Sequence, residues 1–359
     1  MKLLFLHRDL PPDSYTGVAI QVHRLATALS ERGHEVSIFT HSPKPEGARY
    51  QVLPIRQSGL RLALRLLPGL KRLWHPLFLR RLPMEGYDAV HVHGDGGFLT
   101  YRANYLRTFY GTAALESRHA RGLRGKLAQG LSYWMERREA RRCGLCVGIS
   151  PHIREHLPGV TQVVPCMLPG EPGRDRPQKT AHPSLLFIGS RFSRKRGELA
   201  LEIFRKLRVS RPELTLDYVG PPCDAEELRG SPACEGVEFH TRVEQERLSA
   251  LYRRSWIYLC LSSYEGFGVG LIEAMALSCL AVTTPHPGSD FLVKDGETAL
   301  VAAPGEMEAT LGRALSDAGL RDRIAAKALE AAQAFSPGTV AAAYESLYQE
   351  ARRRGEAAA

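Results

Sequence analysis

The chain has 359 residues, 44% of them hydrophobic and 24% charged, with a formal net charge of +10. That length exceeds one ordinary core and fits two domains, and the composition excludes a disordered or collagen-like chain. No uninterrupted apolar run reaches the roughly 18 residues of a membrane-crossing helix.

In chain order, MKLLFL is cut short by His7, Arg8 and Asp9, so residues 2–7 read as a buried strand and not as a leader. The loop DLPPDSYTG follows, with Thr16 a candidate N-cap and Gly17 a candidate for close backbone approach to a ligand. A helix comes next, with Val18, Val22, Leu25, Ala26 and Leu29 on one face and a stop at Gly33. Further strands are expected at 35–40, 88–93, 112–117, 146–149 and 161–165. Most are continuously apolar, as strands buried on both faces of a parallel sheet are.

Two basic stretches interrupt the series. Residues from Arg56 to Leu82 place seven cations among leucines, Trp74 and Phe78. Such a segment either lies on an anionic bilayer or packs on the sheet with its arginines in water. A second basic run covers 118–142. Residues 1–180 thus hold 27 Lys+Arg against 14 Asp+Glu, while the remainder hold 21 against 24. The first half is expected to meet an anionic partner. No recognition motif or aromatic stacking pattern accompanies the charge, so nucleic acid is not expected. Cys143 and Cys146 form a lone C-x-x-C, expected as packing at a helix-to-strand junction; seven scattered cysteines suit a reducing cytoplasm.

Residues 169–183 are rich in Pro, Gly and charge and read as a linker between a first domain, 1–168, and a second, 184–335. The second series has strands at 184–189, 214–219, 237–240, 256–261 and 280–283, and helices at 197–209 and 269–278. Late helices are expected at 306–318, 320–334 and 339–353. Strand–helix alternation in both halves predicts an α/β protein with two Rossmann-like, doubly wound parallel sheets and a ligand cleft at the strands' carboxyl ends.

Three places can carry chemistry. SSYEGFGVGLIEAMA follows a strand and enters a helix. Its Gly266, Phe267, Gly268 and Val269 bring free helix-start amides to a phosphate or sugar oxygen. Glu265 precedes them, and Glu273, eight residues on, sits about one helical turn in, where a carboxylate suits a ribose diol. In IGSRFSRKRG, Gly189 is followed by Arg191, Arg194, Lys195 and Arg196 just before a helix. Side-chain charge and helix dipole add there to make a diphosphate site, or else the segment is a solvated basic turn. The third place is histidine-rich: His91 and His93 in DAVHVHG, expected at the core or cleft edge, and His119 after TAALESR.

The string from Glu265 to Ala276 resembles the signature of the family-4 retaining glycosyltransferases of the GT-B fold, and the likeness extends over nearly the whole chain. The resemblance implies a nucleoside diphosphate sugar donor, UDP-hexose being the commonest, and a hydroxyl acceptor that is lipid-linked or phosphorylated. It implies that Glu265 contacts the donor sugar, Glu273 the ribose, and Lys195 with Arg191 or Arg194 the departing diphosphate. His119 would face the sugar from the first domain, and 336–359 would include a helix crossing back to that domain. Lys195-Arg196-Gly197 replaces the family's Lys-Gly pair, the Phe192, Arg194, Lys195 spacing being nearer to lipopolysaccharide-core glucosyltransferases, and Thr16-Gly17 replaces Gly-Gly. No Asp-x-Asp is present and no metal-ligand spacing is read, so neither metal nor cofactor is expected, and the enzyme is placed in the cytoplasm or at the inner membrane face. The alternatives are a nucleotide-sugar epimerase on the same fold and a non-catalytic nucleotide-sugar binding protein.

Overall fold

The computed structural model describes residues 1–55, 82–94, 99, 101–116, 122–173, 178–231 and 234–358. The chain divides into two compact units, Met1–Met167 with Pro337–Ala359, and Leu168–Ser336.

The first unit is built on seven parallel strands in the order β3-β2-β1-β4-β5-β6-β7. They are β1 (Lys2–Leu6), β2 (Glu35–Thr40), β3 (Gln51–Pro54), β4 (Ala89–His93), β5 (Tyr105–Phe109), β6 (Leu145–Gly148) and β7 (Gln162–Val163). The helix α1 (Gly17–Glu31) begins where the sequence predicts, with Thr16 Oγ1 accepting from the Ala19 amide at 3.4 Å. Val22, Leu25, Ala26 and Leu29 are buried.

One expected strand is a helix. Residues 112–117 read as apolar and extended, but Ala113–Glu116 form the short α2, and the strand is Tyr105–Phe109. Arg107 and Thr108 interrupt YLRTF and hide its strand character. Both are nevertheless buried, Arg107 paired with Glu139 of α3 (Gly122–Arg142) at 2.6 Å and the Thr108 hydroxyl with His91 at 2.8 Å. The helix itself had read only as a basic run. The two edge strands β3 and β7 carry little of the apolar signal; β3 was missed and β7 spans less than the expected 161–165.

The last helix, α12 (Pro337–Ala358), returns to the first unit. Tyr344, Tyr348 and Ala351 are buried in the same cluster as Phe5 and Val22. Arg32 and His34 hold Glu345 at 2.7 and 2.8 Å. Beneath the helix, His91 reaches the Tyr348 hydroxyl at 2.7 Å and Thr108 Oγ1 at 2.8 Å. Burial, reinforced by Arg107, holds the His91 imidazole well below its ordinary value; burial with His91, His7 and Arg107 does the same to His93.

That network predicts an acid-labile fold. Below about pH 6.5 the unfolded chain protonates these rings while the folded chain does not. Unfolding free energy should therefore fall as pH drops through this value, by up to about 1.4 kcal/mol per pH unit for each ring. Urea unfolding of the wild type and of His91→Asn from about pH 7 to about pH 5 checks this. A slope that the substitution leaves unchanged contradicts it.

The second unit has six parallel strands in the order β10-β9-β8-β11-β12-β13. These are β8 (Ser184–Ile188), β9 (Thr215–Val219), β10 (Val237–His240), β11 (Ile257–Cys260), β12 (Leu280–Thr283) and β13 (Leu300–Val301). Only the two-residue β13 lacked a sequence signal. The connecting helices include α5 (Gly197–Ser210), α6 (Pro222–Leu228), α7 (Gln245–Arg254), α8 (Val269–Ala276) and α9 (Pro287–Leu292). Its late helices α10 (Met307–Ser316) and α11 (Ala318–Ala332) lie within two residues of expectation. The sheet order is the doubly wound one, and its direction reverses between β8 and β11. Loops leaving those two neighbouring strands must meet. Among the described residues no helix is long and apolar enough to cross a membrane. Residues 56–81, most of the expected bilayer segment, lie outside the described residues.

Candidate functional site

The two loops that meet are 189–196, after β8, and 261–268, after β11. The first folds back on itself. Ser193 Oγ donates to the Ser190 carbonyl and accepts from the Lys195 amide, each at 3.1 Å. A β-carbon on Gly189 would fall 2.5 Å from Lys195 Cβ and 2.9 Å from its Cγ. Glycine is thus required for the lysine stem to lie across the strand end. Arg196 takes the left-handed backbone (φ +57°) as N-cap of α5, and Gly197 brings that helix start against the Tyr218 hydroxyl.

The second loop is held to the first. The Ser263 amide donates to the Arg194 carbonyl at 2.9 Å, and the Arg194 guanidinium donates to the Tyr264 carbonyl at 2.8 Å. Glu265 then receives Lys195 Nζ at 2.6 Å, Arg194 Nη1 at 2.9 Å and the Ser262 hydroxyl at 2.8 Å. Burial alone would raise the Glu265 carboxyl, but the Lys195 and Arg194 charges overcome it and pull it down to about 2. The carboxylate is therefore ionised at any working pH, and one anion faces two cations.

Gly268 turns the chain into α8 from the left-handed region (φ +98°). Glu273 lies on that helix and is only 7% exposed. Phe267 is buried, its ring packed against Phe291 and Phe335 at 6.1 Å, so its side chain anchors the loop.

Arg191 is drawn elsewhere. Its guanidinium pairs with Glu198 at 2.5 Å and Glu227 at 3.1 Å and lies over the Phe192 ring, while its amide donates to Asp224 at 2.7 Å. The structure therefore brings Arg194, not Arg191, to Glu265.

Sequence patterns missed several supports. Ser262 orients Glu265. The Gly288 amide, at the start of α9, donates to the Glu265 carbonyl at 3.1 Å, and a β-carbon there would lie 2.3 Å from the Phe267 carbonyl oxygen. His286 caps α9, its Nδ1 accepting from the Ser289 amide at 3.0 Å, which leaves the ring hydrogen on Nε2. Burial lowers this imidazole, and the nearby Glu265 charge only partly opposes that. The sole sequence signal was the turn HPGS.

In the first unit, a methyl on Gly17 would meet nothing within 4 Å, so the fold itself does not demand glycine there. His91 and His93 are core residues. His119 lies outside the described residues. Cys143 and Cys146 are free thiols whose sulfurs face backbone carbonyls. A cavity of about 370 Å³ opens at the carboxyl ends of β1, β4 and β5, lined by Arg8, Gly94, Tyr110, Ser132 and Glu136 among others.

The arrangement in the second unit offers two cations, an ionised acid and two neighbouring helix starts. It can hold a doubly charged group and the hydroxyls beside it.

Two families match the chain. That described as glycosyl transferases group 1 matches residues 174–331, and that described as glycosyltransferase family 4 matches residues 15–166. The glycogen synthase of Mycobacterium tuberculosis is 23% identical over 98% of this chain and 95% of its own. Among solved structures, the sucrose-phosphate synthase of Thermosynechococcus elongatus superposes with a TM-score of 0.73 at 19% identity, covering 97% of this chain and 98% of that one. Anabaena Alr3699/HepE, solved with UDP-glucose, gives a TM-score of 0.69 at 16% identity, covering 97% and 100%. Both share the GT-B fold, two parallel-sheet α/β domains.

Proposed function

The chain belongs to the group 1 and family 4 glycosyltransferases, and from that premise we propose that it transfers a hexosyl group from a UDP-sugar to a saccharide hydroxyl, with retention of configuration and without a metal ion. The observation that carries this proposal is the convergence of Lys195 and Arg194 on Glu265 beside the starts of α5 and α8.

Lys195 and Arg194, with Arg196 at the start of α5, take the diphosphate. As the bond from the anomeric carbon to the diphosphate oxygen breaks, negative charge grows on that oxygen and the two cations stabilise it. The acceptor hydroxyl forms the new bond on the face that the diphosphate leaves, and its proton passes to a diphosphate oxygen. No side-chain nucleophile is needed. Glu265 accepts hydrogen bonds from sugar hydroxyls, and Glu273 from the ribose. Arg191 serves as a strut for its loop. The cavity at Tyr110, Ser132 and Glu136 receives the acceptor. The donor base follows the neighbour solved with UDP-glucose.

A panel of nucleotide sugars tests the donor, since a bound donor raises the unfolding temperature of the folded state. Transfer from labelled donor, with the product's anomeric configuration read by NMR, tests the rest. Release of free UDP and an altered sugar without any acceptor would establish an epimerase instead, and donor binding without turnover would establish a binding protein. Turnover should persist in excess chelator; a complete loss restored by a divalent ion contradicts the metal-free step.

A further inference from the structure

A six-residue helix in the first unit, α4 (Pro151–His156), follows β6 and carries His152, Glu155 and His156 within one turn. The spacing H-x-x-E-H places the two imidazoles at i and i+4, on one face. Their tautomers are set by their partners. His156 Nδ1 lies 3.0 Å from the His152 carbonyl oxygen, which can only accept, so Nδ1 carries the hydrogen. His152 Nδ1 lies 3.0 Å from Glu155 Oε2, and an ionised carboxylate likewise only accepts. Each neutral ring therefore keeps its lone pair on Nε2. The His152 Nε2 is shielded from solvent and has no hydrogen-bond partner. The two ring centroids are 4.6 Å apart, and one donor atom from each of the three residues lies within 4.8 Å of the others.

We propose that His152, His156 and Glu155 form a binding site for a divalent late transition ion of the zinc class. Two imidazole nitrogens and a carboxylate oxygen are the donor set such ions prefer, whereas magnesium and calcium require mostly oxygen. Nitrogen ligands at about 2.0–2.1 Å from the ion ask the donors to close by an amount within side-chain rotation. His156 already donates Nδ1–H to the His152 carbonyl, the outer contact that orients a ligating histidine, and Glu155 leaves His152 Nδ1 to enter the coordination shell. The ion has no part in the transfer step. It clamps a helix too short to hold itself, and Tyr133 of α3, donating to the His156 carbonyl at 3.2 Å, couples the clamped turn to that longer helix. A second three-donor group, Asp217, Glu238 and His240, already holds the Arg254 guanidinium between its carboxylates and repels a cation.

Calorimetric titration of the full chain with Zn²⁺ tests the site, with the unfolding temperature as an activity-independent readout. One ion should bind per chain and raise the unfolding temperature. His152→Ala and His156→Ala should each weaken binding at least about tenfold, and Glu155→Gln less. Titration with Co²⁺ distinguishes this site from the free cysteines, because nitrogen and oxygen ligands lack the intense thiolate charge-transfer band. His156→Gln serves if an alanine variant fails the circular dichroism check for folding. Absence of saturable binding, unchanged binding in the His152→Ala/His156→Ala double variant, or a thiolate band would each overturn the proposal.

Discussion

Lys195→Ala is expected to lower turnover by about 10²–10³-fold while the chain stays folded. The lysine Nζ is one of two cations on Glu265, at 2.6 Å, and in the proposed reaction it meets charge that appears only as the donor bond breaks. An interaction made only in the transition state lowers kcat and kcat/KM together. Folding should suffer little, because Glu265 keeps Arg194 at 2.9 Å and the Ser262 hydroxyl at 2.8 Å, so no buried charge is stranded. The lysine is also partly solvated, its side chain 28% exposed. Steady-state rates with saturating donor, alongside urea unfolding, separate the two effects. Near-normal turnover would remove Lys195 from the reaction. Arg191→Ala gives the internal contrast: its guanidinium is held by Glu198 and Glu227, so its loss should act through loop position and leave more activity than the loss of Lys195.

The largest stability effect is expected far from that site. Glu139→Ala should cost about 3–5 kcal/mol, because it leaves the Arg107 guanidinium buried without its hydrogen-bonded counter-charge. The two side chains are 3% and 7% exposed and meet at 2.6 Å. Burial alone would drive the guanidinium toward its neutral form, but the Glu139 carboxylate holds it charged. Arg107 also lies over the Phe109 ring at 4.3 Å, which fixes where its charge sits. Urea unfolding measures the loss. Replacing both partners with apolar residues, Arg107→Met with Glu139→Leu, should recover much of it, since both desolvation costs then vanish. A single substitution costing less than about 1 kcal/mol would show that water reaches the pair.

These two sites mark what could and could not be seen in the chain. Apolar-rich runs disclosed β1, β2, β4 and the core strands of the second unit, because a strand buried on both faces is apolar at most positions. The apolar face of α1 and the string from Glu265 to Glu273 were equally plain, since each depends on neighbours within a few residues. The strand at Arg107 was hidden because its charge is cancelled by Glu139, 32 positions away, and no local pattern reports so distant a partner. The same limit governs the functional site. The residue types at 191–196 announced an anion site, but not which cation would serve it. That choice fell to topology. Parallel pairing of β8 with β11 sets Lys195 and Arg194 against Glu265, while Glu198 and Glu227 on α5 and α6 draw Arg191 aside. Sequence alone determined where most strands, the glycines and the charges lie; only the tertiary structure decided which charges meet, because an ion pair forms across space and periodicity records only the chain's own turn.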